Sequence, residues 1–149
     1  MQKKHNYYRI AADNTPANVS YVQLMDEENN IYDARAHVTS NWVEVPAPPN
    51  TISRLFRFLH EMGHMTLHTD IRFSNPPLLE AQAIDFVLDI LEREGITTLP
   101  LQVARRELNY IELLAIDYGI FGGEQDETFH TVNRVIQRLY ALRKEALTH

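Results

Sequence analysis

Apolar residues alternate with polar ones in the N-terminal third of the chain, whereas later they recur every three or four positions. A period of two is typical of strands and a period near 3.6 is typical of helices. The β-rich segments that we expect to be extended are Tyr7–Ile10, Val19–Met25, Ile31–Val38 and Asn41–Val45. The acidic and amide residues at 26–30 indicate a turn, so the segments on either side of it predict a hairpin.

The rest of the chain predicts helices, because local start and stop signals flank each periodic run. Asn50 or Thr51 can cap the first helix, and Gly95 and Gly119 can end the second and third. The three later helices are predicted at Leu78–Glu94, Pro100–Tyr118 and Glu127–Ala146. We therefore predict a single α+β domain over the whole chain, residues 1–149, with a small N-terminal antiparallel sheet followed by about four helices.

Composition narrows the possible partners and ligands. The net charge of −6 is spread along the chain, and Arg105-Arg106 is the nearest approach to a basic patch, which argues against nucleic acid as the partner. We find neither a signal peptide nor a run long enough to span a membrane. With no cysteine in the chain, any metal site must use histidine and carboxylate, and we expect a cytoplasmic protein.

The candidate chemistry is concentrated in the first predicted helix, where residues 60–68 read His-Glu-Met-Gly-His-Met-Thr-Leu-His. On a helix, His60 and His64 lie one turn apart on the same face and can bind one zinc ion. Glu61 lies beside that face, where its carboxylate can take a proton from water. His68 is about 12 Å along the axis from His60, so it could bind the same ion only if the helix ends by then. We expect it beside the site or in the cleft, or as a histidine at the helix end that the helix dipole favours.

A catalytic zinc needs a third protein ligand. The acidic and imidazole candidates are His68, Asp70, Glu80, Asp85 and Asp89. In the second helix, Glu80 shares the apolar stripe of Ala83 and Val87, whereas Asp85 and Asp89 lie on the solvated face. A carboxylate on an apolar face is costly unless it is paired or binds a metal. Helical phase therefore favours Glu80 as the third ligand.

This arrangement resembles the zincin metallopeptidases and is most similar to the ImmA/IrrE group. That group has a helix reading His-Glu-Leu-Gly-His-x-x-x-His and a later helix reading roughly Glu-x-Glu-Ala-Asn-x-Phe-Ala. Residues 80–87 keep the first Glu, the Ala and the Phe, but Gln82 stands where the second Glu would be. The resemblance covers roughly residues 19–94. The metalloprotease-like domain of ArdC-type antirestriction proteins has a similar helix and is a competing resemblance.

The resemblance implies a single gluzincin-like zinc metallopeptidase domain that hydrolyses peptide bonds of a protein substrate, with Glu61 as general base. It also implies that substrate adds as a strand to a sheet edge at Trp42–Val45. Side chains that could donate to the oxyanion are His68, Tyr110, Tyr118 and His130. The alternative is a non-catalytic zincin-fold protein that binds or regulates a partner, such as an antirestriction or toxin–antitoxin component of a phage or mobile element.

Overall fold

The computed structural model describes residues 5–24, 35–37, 42–46, 49–68 and 75–147. Along the chain its elements are α1 (Tyr7–Asp13), β1 (Ser20–Leu24), β2 (Arg35–His37), β3 (Trp42–Pro46), α2 (Ile52–Leu67), α3 (Pro76–Arg93), α4 (Leu101–Asp117), a 3₁₀ turn (Ile120–Gly122) and α5 (Glu127–Leu147). The predicted α+β class is confirmed. The chain divides into two compact units, residues 1–72 and 73–149, each with its own buried residues. The prediction of a single domain stays a prediction.

The described residues of the first unit form a sheet of three strands in the order β1-β3-β2. β3 pairs in parallel with β1 and antiparallel with β2. Its residues alternate as a strand with one buried face requires, since Val43 and Val45 are buried while Trp42 and Glu44 are only partly covered. The ring of His37 on β2 stacks on its cross-strand neighbour Trp42 at a centroid distance of 3.8 Å.

This strand order corrects two predictions. The first two strands do not form a hairpin with each other, because β3 lies between them. Trp42–Val45 is not a sheet edge either, since both sides of β3 are hydrogen-bonded to neighbouring strands. Of the three described strands, β1 and β2 are the ones that pair with a described strand on one side only. The predicted turn at 26–30 lies outside the described residues.

The N-terminal segment Tyr7–Ile10, which was predicted as a strand, is the start of helix α1. The Asn6 side chain caps this helix by accepting a hydrogen bond from the backbone N–H of Arg9 at 3.1 Å. Arg9 also pairs with Asp13 one turn later at 2.7 Å. These local interactions outweigh the strand preference of the two tyrosines. That preference reflects how well a side chain packs on a sheet and is not an intrinsic preference of the backbone.

Helix α2 packs against the sheet and against α1 within the first unit. It begins at the predicted cap, where the Thr51 hydroxyl accepts a hydrogen bond from the Arg54 backbone N–H at 3.2 Å. It ends at Leu67, and His68 follows in a non-helical conformation. The apolar residues Leu55, Phe56, Leu59 and Met62 are fully buried. Burying each such side chain contributes roughly 1.5–3 kcal/mol, which fixes the rotation of the helix and hence the direction of its histidines.

The second unit is formed by α3, α4 and α5, which pack on one another in all three pairs. All three predicted helices are confirmed. Asn75 caps α3 and also donates a hydrogen bond to the Thr128 hydroxyl near the start of α5 at 2.9 Å. Gly95 and Gly119, the predicted stop signals, have positive φ angles of 77° and 65°. The core side chains are Ile84, Leu88, Leu91, Leu99, Ile111, Val132, Val135 and Leu139.

Candidate metal centre

Helix α2 is buried around most of its circumference, including its polar face. His60 is 3% exposed, Glu61 5% and His68 5%, whereas His64 is partly covered. Taking a polar side chain out of water without a partner costs roughly 1–3 kcal/mol, and more for a charged one. Imidazole and carboxylate groups on the buried face of a helix therefore stabilise the fold less than apolar side chains would. Their concentration on one helix points to a functional site.

The first two histidines converge as the sequence predicts. The Nε2 atoms of His60 and His64 are 3.2 Å apart, and their rings meet edge to face at 73° with centroids 4.9 Å apart. A tetrahedral zinc ion with Zn–N bonds of about 2.0–2.1 Å holds two ligand nitrogens about 3.3–3.4 Å apart. The two nitrogens could therefore bind one ion after only a small movement of the rings. The same distance also fits a hydrogen bond between the two nitrogens.

His68 contacts the opposite side of the His64 ring. Its Nδ1 lies 2.9 Å from the Nδ1 of His64, and the two rings are tilted by 46°. His60 and His68 therefore approach different nitrogens of the same imidazole. His68 therefore contacts one of the candidate ligands, and its role stays a prediction.

Glu80 lies in the second turn of α3 and is partly covered, between the buried residues Pro77 and Ala81. His60 and His64 belong to the first unit and Glu80 to the second, and each of the three offers one atom of a kind that binds metal ions. Two imidazole nitrogens and one carboxylate oxygen are a donor set that suits catalytic zinc and leaves a position for water.

The competing carboxylates of α3 have other partners. Asp85 accepts hydrogen bonds from Arg134 and Arg138 of α5 at 2.9 Å and 2.6 Å. Asp89 accepts another from Arg138 at 2.8 Å. These ion pairs join α3 to α5. They explain why Asp85 and Asp89 lie together on the face of α3 that the helical period predicts to be solvated. Asp70 lies outside the described residues.

The three remaining candidates, Tyr110, Tyr118 and His130, are exposed in the second unit. Tyr110 lies on α4, Tyr118 is the residue that caps its C-terminus, and His130 lies on α5 with its ring edge to face with Phe129. A role for any of them as an oxyanion donor stays a prediction.

The sequence reasoning missed a second polar stripe on α2. Arg54, Arg57 and Glu61 follow one another at spacings of three and four residues, so they share a face next to the histidines. Arg54 is buried and donates a hydrogen bond to the Asn50 side chain at 2.9 Å. The signal was available as a periodicity of charged residues, but only the apolar positions of this helix were followed. The helical spacing therefore places two arginines on the same face of α2 as Glu61.

Comparison with protein-family models, curated proteins and solved structures finds no match to this chain. Among the described residues, no helix is both long and apolar enough to cross a membrane.

Proposed function

We propose that this protein is a zinc-dependent peptidase in which His60, His64 and Glu80 bind the metal and Glu61 is the general base. The observation that carries the proposal is the approach of the two Nε2 atoms to 3.2 Å beside a buried carboxylate on the same helix. The resemblance of residues 60–68 to the zincin helix, and of residues 80–87 to the later helix of the ImmA/IrrE group, supports the same function.

When bound, zinc supplies a Lewis acid that polarises a carbonyl and lowers the pKa of water towards about 7. His60 and His64 hold their donor nitrogens one helical turn apart, so the backbone of α2 sets their spacing. Glu61 is next in sequence to His60 and points about 100° away from it around the helix, so its role in the proposal is proton transfer rather than metal binding. It accepts a proton from water and returns it to the leaving amine. The substrate that we propose is a cytoplasmic protein, cut at a peptide bond.

The test compares zinc content and hydrolysis in the same preparations. After metal-replete purification, we expect about one zinc per chain in the wild type and in Glu61→Gln, and far less in His60→Ala and Glu80→Ala. Hydrolysis of a panel of quenched fluorescent peptides should be lost in Glu61→Gln, because removing a general base costs about 100- to 10,000-fold. His5→Ala, at a partly covered histidine near the N-terminus that has no proposed role, is the matched control and should keep both properties. A wild-type protein without zinc would overturn the proposal.

The alternative function is a protein that binds or regulates a partner without catalysis. One observation supports it: Leu113 and Ile116 on α4 are 60% and 64% exposed, and large apolar side chains exposed together are typical of interaction surfaces. The same Glu61→Gln variant separates the two functions. If it keeps the zinc, the fold and the biological activity of the wild type, the binding function is the correct one and the peptidase is not.

A further inference from the structure

Both ring nitrogens of His64 have imidazole neighbours. Its Nε2 faces the Nε2 of His60 at 3.2 Å, and its Nδ1 faces the Nδ1 of His68 at 2.9 Å. The metal ligand proposed above is Nε2, so His68 acts on the nitrogen that the metal does not use. A metal-ligating histidine commonly donates its other ring N–H to a fixed acceptor, which sets its tautomer and orientation.

His68 is held in place for such a contact. It follows the last residue of α2 and adopts φ −117° and ψ 80°, outside the helical region. Its backbone N–H donates to the carbonyl oxygen of His64 at 2.9 Å. The two residues are therefore linked through both their backbones and their rings, and the His68 side chain is 5% exposed. A buried ring that is fixed at two points can orient its neighbour.

The protons on the rings decide whether this contact helps or blocks metal binding. A neutral imidazole has one N–H donor and one acceptor nitrogen. Two arrangements satisfy both contacts of His64. In one, its Nδ1–H donates to His68 and its Nε2 accepts the Nε2–H of His60, a proton that must leave this nitrogen before His60 can bind a metal. In the other, the proton of His64 lies on Nε2, donates to His60 and prevents coordination by His64.

We infer that His68 is a positioning residue: its Nδ1 accepts the Nδ1–H of His64, which keeps the Nε2 of His64 unprotonated and directed to the side of His60. The inference rests on the proposed function, because ligation through Nε2 is what selects this proton arrangement. It also assigns the proton of His68 itself to Nε2. His68 is then not a ligand through Nδ1, since the lone pair of that nitrogen is taken by His64.

Two variants of His68 distinguish a role as a hydrogen-bond acceptor from a role in filling space. His68→Asn places an amide oxygen close to the position of Nδ1 and retains an acceptor, whereas His68→Leu fills similar space without one. Affinity for zinc alone, measured by competition with a chelator, should fall about 10- to 100-fold in His68→Leu and stay near the wild-type value in His68→Asn. His130→Leu, which removes an exposed histidine, is the matched control and should not change the affinity.

The second measurement is the tautomer of His64, read from the ¹⁵N shifts of its ring nitrogens in the full-length protein at a pH where the rings are neutral. We expect the proton on Nδ1 in the wild type and in His68→Asn. A wild-type protein with the proton on Nε2 would overturn the inference, even if His68→Leu failed to fold. So would wild-type zinc affinity in His68→Leu. If the wild type bound no zinc at all, the proposed function would fail instead, and the tautomer would still decide the direction of the hydrogen bond.

Discussion

Arg138→Ala is the substitution whose effect on the second unit can be worked out most directly. Arg138 lies on α5 and donates to three carboxylates of α3: to Asp85 at 2.6 Å, to Asp89 at 2.8 Å and to Glu92 at 3.3 Å. Burial opposes its charge, but the hydrogen bonds to Asp89 and Asp85 outweigh burial and raise the pKa of Arg138 above its usual value. A raised pKa means that the stabilisation is complete below the unfolded-state value and is lost only at still higher pH. The ion pairs of Arg138 therefore stabilise the folded protein to the same extent, as far as the arginine is concerned, at every pH below the unfolded-state pKa of arginine.

The magnitude follows from how exposed each partner is. The Asp85 side chain is 18% exposed, so its charge-assisted hydrogen bond contributes about 1.5–3 kcal/mol. The side chains of Asp89 and Glu92 are 66% and 81% exposed, and such pairs contribute about 0–1 kcal/mol each. Arg134 still holds Asp85 after the substitution. We therefore expect Arg138→Ala to lower the free energy of unfolding by about 2 kcal/mol, and Arg134→Ala, whose single contact is 54% exposed on the arginine side, by about 0.5 kcal/mol.

The assay is urea unfolding of the full chain, with amide hydrogen exchange of α3 and α5 as the local measurement. A double-mutant cycle of Arg138→Ala with Asp85→Ala should give a coupling energy of about 1 kcal/mol or more. A loss in Arg138→Ala no larger than in Arg134→Ala, or a coupling near zero, would contradict the reasoning. Zinc content should be unchanged in Asp85→Asn, and a loss of zinc there would make Asp85 a candidate ligand again.

Two further predictions concern a turn and the metal. Gly119→Ala should destabilise the protein by about 1 kcal/mol through backbone strain, because φ is 65° and a Cβ would meet nothing within 4 Å. Gly122→Ala is the control in thermal unfolding, because Gly122 is equally open but has no positive φ. An equal loss of stability in Gly122→Ala would contradict strain as the cause. Zinc at a hundred times its dissociation constant should stabilise the wild type by about 2.7 kcal/mol, and a chelator should remove that gain. The same gain in His60→Ala would show that zinc stabilises the protein from another site.

The helices were predictable because their ends are encoded locally. Thr51 and Asn75 cap α2 and α3 through hydrogen bonds to residues three positions ahead. Gly95 and Gly119 end α3 and α4 with positive φ angles, which few other residues tolerate. Each signal lies within a few residues of the end that it marks, so the sequence alone carries it.

The sheet was harder to predict, because pairing depends on residues far apart in the chain. β1 and β2 follow one another in sequence with a turn-like segment between them, which favours a hairpin by local criteria. The structure instead inserts β3 between them. Val43 and Val45 are fully buried, and a central strand buries more of its surface than an edge strand does. Nothing in either neighbouring strand specifies that choice locally.

The candidate site was predicted where a helical period determined it. The spacing of His60 and His64 predicted converging nitrogens, and the Nε2 distance agrees. The position of the His68 ring could not be predicted, because it depends on α2 ending at Leu67 and on the backbone turn that follows. The polar stripe of Arg54 and Arg57 could have been found by applying the helical period to charged residues as well as to apolar ones.

The burial of α2 has a consequence for the kinetics of the proposed centre. Two of the three donors belong to one turn of a helix whose apolar side is fully buried, and His60 is itself buried while His64 is only partly covered. In the proposed centre, the buried His60 can move away from an ion only when that turn of the helix opens, and opening a packed helix is among the rarest local fluctuations of a folded protein. Residence time on the protein would then exceed what equilibrium affinity alone suggests, and slow metal exchange would retain the ion when free zinc becomes scarce.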